Sequence, residues 1–356
     1  METKMEKTLF VSEKPFANAY QYVGYAMSIA EQHPDFSNWI LNNYIQLTFD
    51  YCNVVKEGIV IDFLGGTIFD SVELLCYEDY DKSKILSENT NDAIIHFIEQ
   101  SIKNDKYICT MLNEFYVPNR SSYRKEDFEH DVLIYGCSTE KKQINIIGYN
   151  ERKEYKVSSI SYDEFCDAFR TSNFMLKRIG VNWSRYYFDI DVLKNRLFDY
   201  LFGVNCMEKL DNYVDTQKGD LSFFLGKFSL HKRIAWGLDI YPAIIEYVLW
   251  RKDHLSTLDI RIFYILYEHK RCMSKRLSLL EKKITFNISY SIKAYEYLEK
   301  EAKMILYMSM KYNISSTAKD LVPDMIIKKI KKIRIVERNC LSEILYKLIR
   351  YEDRIT

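Results

Sequence analysis

The hydrophobic periodicity of the chain changes near residue 158, and this change limits the fold more than any other sequence feature. Before it, short apolar runs flank polar turns, as at Val132–Tyr135 and Ile144–Ile147, a pattern typical of β-hairpins. After Ser161 the apolar residues recur at helical spacing over long stretches. The pattern predicts an α+β domain at residues 1–158, followed by an all-helical domain at residues 159–356.

The first helix is predicted to begin at Asn18, whose side chain suits an N-cap position. Ala19, Tyr22, Val23 and Ala26 then follow helical spacing. His33 is followed by a proline, which disfavours helical backbone at the preceding residue. We therefore expect this helix to end near His33.

No apolar run reaches the ~20 residues that a membrane span requires, and residues 1–14 lack the apolar core of a signal peptide. The eight cysteines are scattered, without a CxxC pair. This distribution indicates reduced thiols and neither a disulfide framework nor a zinc site. We predict a cytoplasmic protein with no cofactor and no metal.

The charge of the chain is divided unevenly, although the net charge is zero. Residues 1–158 carry 25 acidic and 16 basic side chains, and residues 159–356 carry 25 acidic and 34 basic ones. Either the two parts attract each other, or the basic part faces an acidic partner. A basic run at residues 326–338 could meet an acidic carrier protein, RNA or anionic lipid. The alternative, which we favour, is a solvated helix face behind a buried stripe of Ile326, Ile330 and Ile333.

His130 and Asn150 form the one candidate catalytic pair. His130 precedes the first strand of the predicted hairpin and Asn150 follows the second, so a hairpin centred on residue 140 sets them opposite each other. A histidine oriented by an amide or carboxylate is the base that a thiol nucleophile requires. If the register shifts, Asn145 is the reserve orienter. The alternative is that His130 is a capping or surface residue.

Four segments of the chain carry a resemblance to a known protein family. They are NEFYVPNRSSYRKEDFEHDVLIYGCSTEKKQINIIGYN (113–150), NWILNNYIQL (38–47), WGLDIYP (236–242) and LDIRIFYILYEHKRCMSKRL (258–277). These segments resemble the papain-like proteins of the butirosin biosynthesis protein H type, which occur in gene clusters for thiotemplated and nonribosomal natural products. The resemblance covers about two thirds of the chain.

The resemblance implies a papain-like fold and acyl transfer. A cysteine would attack an acyl thioester on an acyl or peptidyl carrier protein and pass the acyl group to a small-molecule amine, forming an amide. His130 would be the base and Asn150 its orienter. The resemblance implies no nucleic acid or membrane partner, and a homodimer stays open.

The nucleophile is the point at which the sequence departs from this pattern. A catalytic thiol should stand at the start of the first helix, where the helix dipole lowers its pKa, but residues 18–21 contain no cysteine. The chain could be a non-catalytic relative that binds a carrier protein or a biosynthetic product, with Ala19 or Gln21 in the place of the thiol. Ala19 could also be an engineered replacement of cysteine. Cys52 could instead be the nucleophile, or it could be a buried core cysteine.

A second polar cluster, Glu268-His269-Lys270, lies on a predicted helix. We interpret it as an inter-helix ion-pair network.

Overall fold

The computed structural model describes residues 5–51, 54, 59–63, 72–88, 90–172, 175–205, 234–254, 256–315 and 321–352. The chain forms two compact units, each made of two separate segments. The first unit contains Met1–Phe36 and Thr67–Tyr186, and the second contains Ser37–Gly66 and Tyr187–Thr356. This division differs from the predicted boundary at residue 158, because the chain returns after that point to complete the sheet of the first unit.

The described elements follow one another in chain order. They are β1 (Glu6–Thr8), α1 (Gln21–Ala30), α2 (Phe36–Asn42), β2 (Leu47–Asp50), β3 (Ile61–Phe63), β4 (Leu75–Asp79), α3 (Lys82–Ser87), α4 (Asn91–Lys103), β5 (Tyr107–Asn113), a 3-10 turn (Glu114–Tyr116), β6 (Glu129–Ser138), β7 (Gln143–Tyr149), β8 (Tyr155–Ser161), α5 (Tyr162–Arg170), β9 (Leu176–Val181), α6 (Ile190–Phe202), β10 (Ile234–Trp236), a 3-10 turn (Gly237–Asp239), α7 (Ile240–Asp253), α8 (Ile260–Glu281), α9 (Ser289–Ile314) and α10 (Val322–Glu352).

The first unit is built on an antiparallel sheet with the strand order β4-β9-β5-β6-β7-β8, and β1 pairs with the end of β6. The β6–β7 hairpin is confirmed. Leu133 pairs with Ile147 and Ile134 with Ile146, before a bulge shifts the register towards the turn. Among the described residues of this sheet every strand pair is antiparallel, which excludes a parallel, doubly wound sheet there.

Helices cover both faces of this sheet. Helices α4 and α5 bury their apolar sides against one face, in a core that includes Ile98, Ile134 and Phe165. Helix α1 lies on the other face, where the hydroxyl of Ser28 hydrogen-bonds that of Tyr155, 3.0 Å away, on β8. A sheet with both faces covered buries residues of either parity along its strands, which explains the continuous apolar runs in β6 and β7.

Helix α1 begins later than the sequence predicted. Its first residue is Gln21, and Tyr20 occupies the N-cap position without a side-chain capping bond. The prediction that Asn18 caps the helix is therefore wrong. The physical reason is that the preceding segment packs in a non-helical form, with Phe16, Ala17 and Tyr20 all buried.

The second unit is mainly helical but not all-helical. It contains a small antiparallel sheet in the order β10-β2-β3, whose strands have only three or four residues each. Strands this short leave little period-two pattern in a sequence. Helices α8, α9 and α10 pack in succession, and the predicted stripe of Ile326, Ile330 and Ile333 is buried. Over the described ranges, no helix combines the length and the apolar character needed to cross a membrane.

Candidate functional site

His130 lies near the start of β6, opposite Leu112 of β5. Its side chain is 37% exposed. The ring nitrogen Nδ1 lies 2.7 Å from Oδ1 of Asp131 and 2.9 Å from Nε2 of Gln21. The imidazole therefore faces the first residue of α1, the position at which a papain-like nucleophile would be expected.

The amide of Gln21 is held at both ends. Its oxygen Oε1 accepts a hydrogen bond from the backbone nitrogen of Tyr149, at 2.7 Å, and its nitrogen Nε2 donates to the carbonyl oxygen of Asp131, at 2.6 Å. The hydroxyl of Tyr25 donates to the same carbonyl, at 3.0 Å. These bonds fix which end of the amide is nitrogen, because the reverse orientation would pair donor with donor and acceptor with acceptor.

The contacts also fix the preferred tautomer of His130. A carboxylate oxygen 2.7 Å from Nδ1 favours a proton on that nitrogen, since two lone pairs would otherwise meet. The Gln21 amide nitrogen, 2.9 Å from Nδ1, is then a close contact of the ring and not a hydrogen bond, and it donates to the carbonyl oxygen of Asp131 instead. The proton of Nδ1 then lies in the bond to Asp131, and Nε2 is the nitrogen that gains or loses a proton. Among the described residues, Nε2 has no hydrogen-bond partner.

The protonation of His130 reflects two opposing effects. Burial disfavours the imidazolium, but the hydrogen bond to Asp131 and the charge of that carboxylate outweigh it, so the pKa of His130 is raised above its ordinary value. The second carboxylate oxygen, Oδ2 of Asp131, is buried and has no hydrogen-bond partner among the described residues. A hydrogen-bond donor that reached this oxygen would therefore be stabilised.

Asn150 does not contact the ring. The pairing of Leu133 with Ile147 supports the predicted register, but β7 ends at Tyr149, and the side chain of Asn150 turns into the β7–β8 connection. There its Oδ1 accepts from the backbone nitrogens of Arg152 and Glu154, both at 2.9 Å. The side chain that contacts the His130 ring is therefore that of Asp131, and not that of Asn150 as expected. A short polar side chain at a strand end commonly closes its own turn in this way.

The reserve orienter, Asn145, also lies away from the ring. It pairs with Gly136, beyond the bulge and close to the hairpin turn. Asp131 was not predicted as the partner of His130, because successive side chains of a strand usually point to opposite faces. The His130-Asp131 dipeptide was the sequence signal that could have identified the actual partner.

A buried arginine hydrogen-bonds to the end of β7, the strand to which Gln21 is also bonded. The side chain of Arg120 is 4% exposed and donates to the carbonyl oxygen of Tyr149. Its Nε lies 4.0 Å from Glu114. Burial raises the pKa of Glu114, and the charge of Arg120 opposes that shift.

Gly148 lies where the side chains of Arg120 and Gln21 pass close to β7, and this position has no room for a larger residue. A Cβ at this position would lie 2.8 Å from both the Arg120 guanidinium and the Gln21 amide oxygen. The strand therefore needs a residue without a side chain for Gln21 to reach the backbone.

The nucleophile remains unassigned by geometry. Cys52 lies outside the described residues. None of the hydrogen bonds or ion pairs described for His130 involves a thiol. Burial raises the pKa of Cys137 and of Cys166 to about 12, which keeps both thiols protonated at neutral pH.

The Glu268-His269-Lys270 cluster is a buried network within the second unit. The ammonium of Lys270 lies 2.6 Å from Oε1 of Glu337, which joins α8 to α10. Both side chains of this pair are fully buried. The interpretation as an inter-helix ion-pair network is confirmed.

No known protein family matches the chain, and no curated protein is similar enough to count as a relative.

Proposed function

We propose that the chain is a non-catalytic relative of the papain-like biosynthetic proteins, which binds a carrier protein or a product of a thiotemplated pathway. The observation that carries this proposal is Gln21. An amide stands at the start of α1, facing His130, where acyl transfer would need a thiol. The class of partner is taken from the sequence resemblance.

Gln21 is unsuited to covalent catalysis. Its nitrogen lone pair is delocalised into the amide, so it does not attack a thioester as a thiolate does. Both ends of the amide are also engaged by backbone groups of Tyr149 and Asp131. Gln21 thus ties α1 to β6 and β7, a role that supports a rigid binding site.

The remaining polar groups are suited to holding a ligand. His130 is half-exposed, with Nε2 available to donate or accept a hydrogen bond, and Asp131 supports its charged form. The exposed ring of Phe128 lies 5.7 Å from the imidazole, between ring centroids, and offers apolar contact. Such a combination suits an amide-rich or anionic group such as an acylated pantetheine arm.

The test compares binding with covalent transfer. The purified chain is mixed with acyl-loaded carrier proteins and with the matching acyl-pantetheine thioesters. Binding is measured by calorimetry and covalent adducts by intact-protein mass spectrometry. We expect the wild-type chain to bind without gaining an acyl group. His130→Ala should weaken binding while leaving the thermal unfolding transition in place. A wild-type chain that becomes acylated on a cysteine would overturn the proposal.

A second candidate function is amide-forming acyl transfer, and the Asp131–His130 pair is the observation that favours it. A histidine with an anchored Nδ1 and an open Nε2 is arranged as a general base. The nucleophile would be a cysteine, for which Cys52 is the candidate that the sequence offers. Its thiolate would attack the thioester carbonyl and release the pantetheine thiolate, which takes a proton from the protonated base. The acyl group would then pass to an amine, whose proton returns to the base. Cys52→Ser should then abolish both the acyl adduct and amide formation, with at least a ~10²-fold loss of rate for His130→Ala.

A further inference from the structure

Helix α10 presents two different faces. It has 31 residues, which corresponds to ~46 Å of helix. One face is buried through Ile326, Ile330 and Ile333. On its exposed face, four large apolar side chains are more than half accessible: Met325 (52%), Ile335 (62%), Tyr346 (55%) and Ile349 (56%).

These exposed side chains fall on one side of the helix. Met325 and Ile335 are ten residues apart, and Ile335 and Tyr346 are eleven residues apart, each close to three helical turns. Met304 of α9 is also exposed, and its sulfur lies 3.9 Å from the Lys329 ammonium of α10. The apolar groups therefore extend beyond α10 to its neighbour in the bundle. We refer to Met325, Ile335, Tyr346 and Ile349, with the exposed basic residues between them, as the outer face of α10.

The outer face is also strongly basic. Residues 325–338 contain six basic residues and one acid, and that acid, Glu337, is fully buried and paired with Lys270. Lys329 is paired with Glu301. The exposed side chains of Lys328, Lys331 and Arg338 have no acidic partner among the described residues. The middle of the outer face is therefore positive, with no compensating acid of its own.

We propose that the outer face of α10 docks an acidic amphipathic helix of a partner protein. The apolar side of that helix would cover Met325, Ile335 and Tyr346, and its carboxylates would meet Lys328, Lys331 and Arg338. This arrangement follows the general mode in which an amphipathic helix lies along a surface and uses residues three and four apart as anchors. The proposal is independent of the chemistry at His130.

Charge and pattern favour this occupant over two others. In a symmetric pairing with a second copy, the basic middle of one α10 would face that of the other, and like charges would repel. A helix that binds a lipid surface needs a continuous apolar side. Here the continuous apolar side is turned into the protein, and the outer apolar residues are separated by lysines.

The proposal is tested with three fluorescent synthetic helices, using the full chain and fluorescence anisotropy. The first has leucines on one side flanked by glutamates, the second replaces the glutamates with lysines, and the third replaces the leucines with serines. We expect the first to bind at least about tenfold more tightly than either of the others, which corresponds to ~1.4 kcal/mol. Equal binding of the first and second peptides would overturn the proposal.

Matched variants locate the site. Lys328→Glu with Lys331→Glu should weaken binding of the first peptide at least about tenfold and reduce its dependence on salt. Ile335→Ser should weaken it without changing the salt dependence. The control, Lys84→Glu with Arg152→Glu, makes the same charge change at exposed positions of the other unit and should leave binding unchanged. Circular dichroism and the thermal transition verify folding in each case.

Two further measurements can refute the choice of partner. Light scattering after size-exclusion chromatography would show a dimer lost on Ile335→Ser if a second copy covers this face. Sedimentation with phosphatidylserine vesicles would show binding lost on Lys328→Glu with Lys331→Glu if the face meets anionic lipid. Either result, or peptide binding that the outer-face variants leave unchanged, overturns the proposal.

Discussion

The buried ion pair between Lys270 and Glu337 predicts a large and non-additive effect of mutation. Both side chains are fully buried, and the carboxylate also accepts hydrogen bonds from the hydroxyls of Tyr295, at 3.0 Å, and Tyr241. Lys270→Met leaves this carboxylate without a cation in a place that water does not reach. Breaking a buried pair on one side costs ~3–5 kcal/mol. We expect the lower end, about 3 kcal/mol, because both tyrosines still donate.

Removing the charge of the other partner, Glu337, should destabilise the second unit by a similar amount. Glu337→Gln keeps the shape and the acceptor for the tyrosines but leaves the Lys270 ammonium with neutral hydrogen-bond partners alone among the described residues. These are Nδ1 of His269, at 3.0 Å, and the hydroxyl of Tyr200, at 3.2 Å. Burial already lowers the pKa of Lys270, and the charge of Glu337 opposes that shift. Without Glu337 the lysine should lose its proton more readily.

The double variant, Lys270→Met with Glu337→Gln, removes both charges and should cost less than the sum of the single changes by at least ~2 kcal/mol. Denaturant unfolding followed by circular dichroism gives the free energies. Amide hydrogen exchange in α8 and α10 isolates the second unit if the two units unfold separately. Strictly additive costs, or a loss below ~1 kcal/mol for Lys270→Met, would show that the pair is not coupled as described.

Three further predictions concern the first unit. Asp131→Asn should lower the pKa of His130 in an NMR titration, because burial then acts without the carboxylate. In the wild type, the stabilisation from the raised pKa is complete below pH ~6.5 and is lost as pH rises through the folded value. Gly148→Ala should cost ~1–3 kcal/mol in denaturant unfolding and displace the Gln21 amide, seen as a shifted NMR resonance. Ser161→Ala removes the capping box of α5 and should cost ~1 kcal/mol by the same unfolding assay, and no loss would mean that the cap is not formed in solution.

Elements whose signal is local could be located from the amino-acid pattern. The hairpin of β6 and β7 could be located from apolar runs flanking a polar turn, because a hairpin is encoded by neighbours in the chain. The buried stripe of α10 could be located from helical spacing for the same reason. His130 was selected from its place at the entry of that hairpin, and it does face the start of α1.

Features that depend on long-range contacts could not be located from the amino-acid pattern. Strand β10 pairs with β2 from a distant part of the chain, and β2, β3 and β10 are each too short to carry a periodic signal. The start of α1 is set by the burial of Phe16 and Tyr20, which overrides the capping preference of Asn18. Cap preferences are worth about 1 kcal/mol, less than the burial of one large aromatic side chain.

The partner of His130 was decided in the same way. Both Asn150 and Asp131 were within reach by spacing, but the backbone turn after β7 engages the amide of Asn150 and leaves Asp131 to bind the ring. The role of Gln21 likewise depends on a backbone nitrogen of β7 and a carbonyl of β6 that are distant from it in sequence. A sequence specifies which groups can donate and accept, and the packing of helix on sheet selects the pairs that form.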